Sequence, residues 1–252
     1  METRERVVDQ LAGKPWWKAT KPSLQQQVLS LPENCNGFLE DLSQRPTEIG
    51  GVRILALDAL LIPDAPIFGI FPVFLVQNLK NPAVIFRYQY FSWKQGPNSG
   101  AKGLVLVRQE ERITHIICLR GESFAVGGLT FDCIGGFGDP ESPTLQDQFM
   151  TELKEELGDP GIQVEETILL GKGYPDRGQT NNHPSLFAAI ISGQQLHRLS
   201  EIEADNPDIY EMRSSMVVIP VEKLGSFVET NDDFYFHGIC NRLVFKGVIS
   251  PS

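Results

Sequence analysis

The apolar positions of this chain fall into three successive textures. Residues 1–48 are mostly polar and helix-forming, broken at Pro15, Pro22 and Pro32, with a glutamine run at 25–27 and the adjacent Trp16 and Trp17 as the means of docking this arm onto the main domain or a second subunit. Gly50-Gly51 ends that texture. From Val52 to Arg87, short runs of Ile, Val, Leu and Phe are cut by proline and asparagine, a pattern of strands and turns. Residues 78–82 are predicted to form a hairpin loop between strands at 73–79 and 83–90. A second hairpin is predicted from 103–108 (GLVLVR) and 113–119 (ITHIICL) around the charged turn 109–112. Strands are expected again at 167–170, 186–191 and 216–219, with helices at about 143–157 and 234–245. Strands flanking isolated helices predict an α+β or α/β sandwich.

The helix at 142–158, SPTLQDQFMTELKEELG, carries the candidate chemistry. Ser142 followed by Pro143, or Thr144 with Asp147, starts it, and Gly158 followed by Pro160 stops it. A step of about 100° per residue puts Leu145, Phe149, Leu153 and Leu157 on one arc, the core side. Glu152, Glu155 and Glu156 cluster on the neighbouring arc, while Lys154 points away from them. Like charges at this spacing repel by roughly a few tenths of a kcal/mol per pair, and a hard divalent cation would convert the repulsion into coordination. Helix geometry alone is equally well served by a solvated acidic face, because glutamate is a good helix former.

The order of residues adds to that geometry. Gly135-Gly136, a short acidic loop, and then Glu152-Leu153-Lys154-Glu155-Glu156-Leu157-Gly158 resemble the Nudix box. The family pattern is Gly, five residues, Glu, seven residues, then Arg-Glu-apolar-x-Glu-Glu-x-Gly-apolar. Thr151 stands where that pattern has arginine, the loop before the helix is about one residue longer, so that Glu141 is out of register, and Asp159 takes the last apolar place, with Ile162 as its packing substitute. The stretch 173–180 (GYPDRGQT) followed by His183 resembles the tyrosine-proline-glycine segment of ADP-ribose and sugar-nucleotide pyrophosphatases, and 217–222 (VVIPVE) before a terminal helix has a similar place.

The resemblance implies an α+β fold: a Nudix-type α/β/α sandwich with a mixed sheet over 100–252, carrying a helical extension over 1–48 and a strand-rich segment over 49–99. It implies that Glu152, Glu155 and Glu156 bind Mg²⁺ or Mn²⁺, with Glu156, Glu152 and Glu141 as the catalytic carboxylates. Gly135, Gly136, Tyr174, Arg177 and His183 would contact substrate, His183 being as readily a plain loop residue. Asp205, Asp208 or Glu211, on a late acidic loop, would be an alternative base, or simply part of a solvated loop. The implied reaction is metal-dependent hydrolysis of a nucleoside diphosphate linked to another moiety, of ADP-ribose or sugar-nucleotide type, giving a nucleoside monophosphate and a phosphorylated product. Thr151 and the longer loop favour a second reading, a catalytically weak or inactive Nudix-fold module that binds a nucleotide-like ligand or a protein. A structural α+β domain with a chance acidic helix is the third.

Charge narrows the partners. A formal net charge of -10 offers no basic surface for a nucleic-acid backbone or anionic lipid, although a metal can stand between the chain and a phosphorylated small molecule. The apolar stretch 54–76 contains Asp58, Asp64 and prolines at 63, 66 and 72. A carboxylate at a bilayer centre costs roughly 2.5–3.5 kcal/mol, so strands are expected there rather than a span. The four cysteines lack metal or disulfide-framework spacing, and the charged start is no secretory signal, so a cytoplasmic location is expected. A homodimer is compatible with this class. Tyr90 and Trp93 suit core roles better than base stacking. No Gly-x-Ser-x-Gly elbow, Walker loop or strand-linked dinucleotide fingerprint is present.

Overall fold

The computed structural model describes residues 2–62, 69–123, 125–136, 144–158, 161–199 and 214–250. The chain divides into two compact units, one of residues 1–99 with 174–183, the other of residues 100–173 with 184–252.

The first unit sets helices against an antiparallel sheet. Its helices are α1 (Glu2–Ala12), α2 (Pro15–Lys18), α3 (Pro22–Leu29) and α4 (Asn36–Gln44), with Pro15 and Pro22 at the first helical positions, where a missing N–H costs nothing. Strands β1 (Glu48–Ile49), β2 (Val52–Leu61), β3 (Gly69–Asn78) and β4 (Ile85–Gln89) follow in spatial order, and β5 (Ser92–Trp93) pairs with β3. The hairpin expected around 78–82 is the β3–β4 pair, with Gln77 opposite Ile85. The tryptophans are core residues of this unit: Trp16 is fully buried and meets Phe74 of β3 edge-on at 5.7 Å. Thr20 ties helix to sheet, because its hydroxyl donates to the Trp16 carbonyl and accepts from the Leu57 N–H. Within the stretch 54–76 the described residues lie mostly in β2 and β3, and among the described residues no helix is long and apolar enough to cross a membrane.

The second unit is a sandwich of two helical layers about a mixed sheet. Its strands are β6 (Ala101–Gln109), β7 (Arg112–Ser123), β8 (Gly128–Asp132), β9 (Val164–Lys172), β10 (Ser185–Ser192) and β11 (Ser214–Pro220). Among the described residues the order is β11-β7-β6-β10-β9 with β8 on β7, and only β6 and β10 run parallel. Glu110 and Glu111 both take positive φ in the tight β6–β7 turn, the conformation a two-residue hairpin demands. The continuous apolar runs of β6 and β10 are explained by burial on both faces. Leu104, Leu106, Leu186, Ala188 and Ile190 face Phe236, Ile239, Cys240 and Leu243 of α8 (Phe234–Phe245). The alternate residues Val105, Val107, Phe187, Ala189 and Ile191 face Phe149 and Leu153 of α5 (Leu145–Glu156). Short helices α6 (Gln194–Leu199) and α7 (Leu224–Val228) complete the layers. The mixed α/β sandwich expected from the sequence is thus the fold of this unit. The four cysteines are buried and free.

Candidate functional site

Helix α5 is set by its caps and by one close approach. Thr144, not Ser142, is the N-cap: its hydroxyl accepts from the Asp147 N–H at 3.1 Å. Ser142 and Pro143 lie outside the described residues. Gly158 takes φ +65 just past the last turn, where a side chain would be strained. Phe149, Leu153 and Leu157 are buried on the sheet, and Ile162 is buried with them. Phe149 stacks on Phe187 at 5.3 Å. A Cβ on Gly103 of β6 would fall 2.4 Å from the Phe149 ring, so glycine there lets helix and sheet meet.

This seating brings Glu152 and Glu156 over Gly135-Gly136. The glycine pair is held beside β6 by bonds from the Ala101 N–H to the Gly136 carbonyl (3.0 Å) and from the Gly103 N–H to the Ile134 carbonyl (2.7 Å). The Gly135 N–H donates to Glu156 Oε2 at 2.9 Å. A Cβ at Gly136 would lie 2.3 Å from Glu152 Oε1, and at Gly135 only 2.1 Å from the Ala101 carbonyl oxygen. Gly136 is therefore required by contact with Glu152, and Gly135 by its positive φ and its contact with the β6 backbone. Glu152 also accepts from the buried Gln148 amide at 2.6 Å.

The electrostatics of the pair are those of a carboxylate short of compensation. Burial pushes Glu156 up to about 8; nearby Glu152 and Asp132 add to the rise, while Lys102 and the Gly135 N–H work against it. Lys102 of β6 places its ammonium 3.0 Å from both Asp132 oxygens and 3.4 Å from the Cys133 carbonyl. Burial opposes its charge, but Asp132, together with Cys133 and Glu156, outweighs that and raises the lysine above its ordinary value. The polar row continues through the Cys133 thiol to Asp233, the N-cap of α8, whose carboxyl burial also raises.

Of the carboxylates singled out in the sequence, Glu152 and Glu156 are brought together, half-buried, and Glu155 is exposed on the same helix. Among the described residues, no three His, Cys, Asp or Glu side chains gather as a metal cage. Two hard oxygen donors one helical turn apart, one of them a half-buried carboxylate that desolvation and a like charge destabilise, nevertheless suit Mg²⁺, which is held by one or two carboxylates while it keeps water and takes phosphate oxygens. Glu141, Asp159, Asp205, Asp208 and Glu211 lie outside the described residues. Tyr174, Arg177 and His183 belong to the first unit, where Tyr174 stacks on His183 at 4.8 Å and, with Arg177, lines a cavity of about 300 Å³. Sequence reasoning missed Lys102, Asp132 and Gln148. A lysine opening an apolar strand and an aspartate closing another read as solvated ends, and nothing local announces that they meet.

No protein-family model and no curated protein sequence matches the chain. Among solved structures it is similar to the crystal structure of an ADP compounds hydrolase, with a TM-score of 0.52 and 14% sequence identity, over 81% of this chain and 100% of that one. At that identity the likeness is one of fold.

Proposed function

We propose that this protein hydrolyses a nucleoside diphosphate linked to another moiety, of ADP-ribose or sugar-nucleotide type, with Mg²⁺ or Mn²⁺ at Glu152 and Glu156. The observation that carries the reading is the arrangement of those two carboxylates over Gly135-Gly136, with Glu156 half-buried and destabilised as an anion until a cation joins it. The fold shared with a structure described as an ADP compounds hydrolase supports it.

When bound, the metal would supply Lewis acidity toward a phosphoryl oxygen and a lowered pKa for an attacking water. The chain's own residues would do the rest. Gly135 fixes the orientation of Glu156 through its N–H, and Gln148 does the same for Glu152. Lys102, held by Asp132, keeps positive charge close to Glu156 and favours its ionised form. Glu155, exposed on the same helix, would be a third ligand once substrate and metal are in place. Glu141, or Asp205, Asp208 or Glu211, would accept the proton of the water as the bond between the two phosphates breaks. The products would be a nucleoside monophosphate and the phosphorylated remainder.

Thr151, in place of the box arginine, and the exposure of Glu155 favour the second reading, a module that binds such a ligand without turnover. One assay separates the two. Purified protein is incubated with Mg²⁺ or Mn²⁺ and ADP-ribose, sugar nucleotides, dinucleotides or nucleoside triphosphates, beside Glu156→Gln. Metal-dependent product formation lost in the variant is the expected outcome. Absence of turnover on the whole panel, with ligand binding still measurable, would replace the hydrolase with the binding module.

A further inference from the structure

The sheet of the first unit ends in a strand that lies open. Every residue of β4 is exposed, and so is Val84 before it. Much of that surface is apolar: Val84, Ile85, Phe86 and Tyr88 are 44%, 51%, 38% and 42% exposed. Edges elsewhere are guarded. β1 is only two residues long, and β9 carries Glu165, Glu166 and two register shifts, with its Leu170 and Lys172 carbonyls taken by Arg242. Shortness, charge and bulges are the means by which a sheet avoids pairing with another chain. β4 has only Arg87, whose Nε lies 2.6 Å from Asp58 Oδ2 and is neutralised there.

The bonds at either end of the strand fix which main-chain groups face outward. The Asn78 N–H donates to the Val84 carbonyl at 3.0 Å, so Val84 faces β3. Alternation along an antiparallel strand turns Phe86 and Tyr88 the same way. It leaves the N–H and C=O groups of Ile85, Arg87 and Gln89 pointing away from the sheet. Phe91, two residues further on, keeps the same alternation, because its N–H donates to the Gln179 carbonyl and its own carbonyl accepts from the Asn181 N–H. Side chains alternate as well. Phe86 and Tyr88 stand opposite Val76 and Phe74, on the helix-covered side, whereas Ile85 and Arg87 stand opposite Gln77 and Leu75 on the other. Residues 78–91 contain Lys80 and Arg87 and no acid, in a chain of net charge -10.

We propose that this edge pairs, antiparallel, with the β4 edge of a second copy of the chain, joining two sheets across a two-fold axis. An axis at Arg87 would set Arg87 against Arg87, like charges directly opposed. An axis at Phe86 avoids that. Ile85 then exchanges main-chain bonds with Arg87 of the second copy, Phe86 meets Phe86, and Val84 meets Tyr88. In this register apolar side chains face apolar side chains along the helix-covered side. The edge is thus complementary to itself, as an isologous interface requires. The two copies also meet along a stretch without acids of its own, which limits the repulsion between two strongly negative chains. The inference rests on the open edge and is independent of the hydrolysis proposed above.

The test follows association of the full chain by sedimentation and light scattering from about 1 to 100 μM, where the parent should be a dimer. Ile85→Pro removes only an outward N–H, and Phe86→Lys sets an ammonium against its own copy. Each should weaken dimerisation by at least about a hundredfold, with the circular dichroism of the parent retained. Phe86→Lys changes an exposed side chain, so it decides alone should Ile85→Pro fail to fold. Under oxidised glutathione, Phe86→Cys should give a disulfide-linked dimer, because opposed residues of a pair without main-chain bonds lie about 4.5 Å apart at Cα. The natural cysteines are buried, which leaves the new thiol as the exposed one. Arg87→Cys should link far less. A parent that stays monomeric throughout overturns the proposal, as does a dimer that both Ile85→Pro and Phe86→Lys leave intact. Linkage through Arg87→Cys in place of Phe86→Cys overturns the pairing.

Discussion

The glutamate helix of the second unit and the tyrosine-lined cavity of the first are built by opposite means. Glu152 and Glu156 sit one turn apart on α5, and the glycines beneath them come from a segment directly preceding it in the chain. The cavity takes Asp41 and Arg45 from one helix end, Tyr88 and Tyr90 from a strand and its exit, and Asn181 from a loop far along the chain. Both places hold a polar group without full compensation, but of different kinds: a half-buried carboxylate in one, and in the other atoms of the Tyr90 hydroxyl, the Asn181 amide and the Arg45 guanidinium. A charge short of partners attracts a cation strongly and responds to pH. Atoms that keep one protonation state through the neutral range leave stability insensitive to pH there.

Substitutions at the glycine pair should separate fold from site with the largest effect. Gly135→Ala puts a Cβ 2.1 Å from the backbone oxygen of Ala101 at a φ of +142, so neither partner can yield cheaply. A loss of about 3 kcal/mol in urea unfolding is expected. Gly136→Ala meets only the Glu152 carboxylate, the far end of a flexible side chain. It should leave stability within about 1 kcal/mol of the parent while lowering Mn²⁺ affinity. Equal destabilisation by both would show that the pair serves the fold and not the carboxylates.

Next in size is Glu156→Gln in chelator. The folded protein holds the Glu156 proton more tightly than the unfolded chain does, since its carboxyl is raised from 4.5 to about 8. Stability of the metal-free parent should therefore fall as pH rises through that window and level off above it. The groups facing Glu156 are Glu152 on its own helix, Lys102 of β6 and Asp132 of β8, and Lys102 moderates the rise. Glu156→Gln removes the titration, so the variant should be the more stable by about 2 kcal/mol at pH 9, with the gap closing near pH 4.5. A parent and variant with parallel pH profiles would show that Glu156 is not the buried acid.

Lys102→Met should cost about 1–2 kcal/mol, less than a fully buried pair because Asp132 is 53% exposed. Combining it with Asp132→Asn should cost less than the sum of the two, measured as a double-mutant cycle. Additive losses would mean that the two groups do not depend on each other.

The comparison also explains what was legible in the sequence. Periodicity located α5 and α8, the 103–119 hairpin and the two-faced apolar runs of β6 and β10, because each pattern is local and repeats at the period of its element. The Glu152–Glu156 pair was legible for the same reason. Lys102 and Asp132 were not, since their meeting depends on β6 and β8 both flanking β7 or its partner, a matter of sheet order. Asp41, Arg45 and Asn181 were still less visible, because they meet from a helix end and a loop far apart in the chain. Tyr90 was read as core, and at 5% exposure it is buried. Its unpartnered hydroxyl is a fact of three dimensions only.

That hydroxyl gives the smallest and most discriminating prediction. In an ordinary core, removing a tyrosine oxygen breaks a hydrogen bond and costs stability. Here the oxygen makes no bond of full geometry and has only Arg45 beside it, so Tyr90→Phe relieves a poorly compensated desolvation and keeps the ring, with its Phe74 stacking at 6.3 Å and its Arg45 contact. The free protein should be unchanged or more stable by up to about 1 kcal/mol in thermal or urea unfolding. A clear loss of stability would show instead that the hydroxyl serves the fold through Arg45.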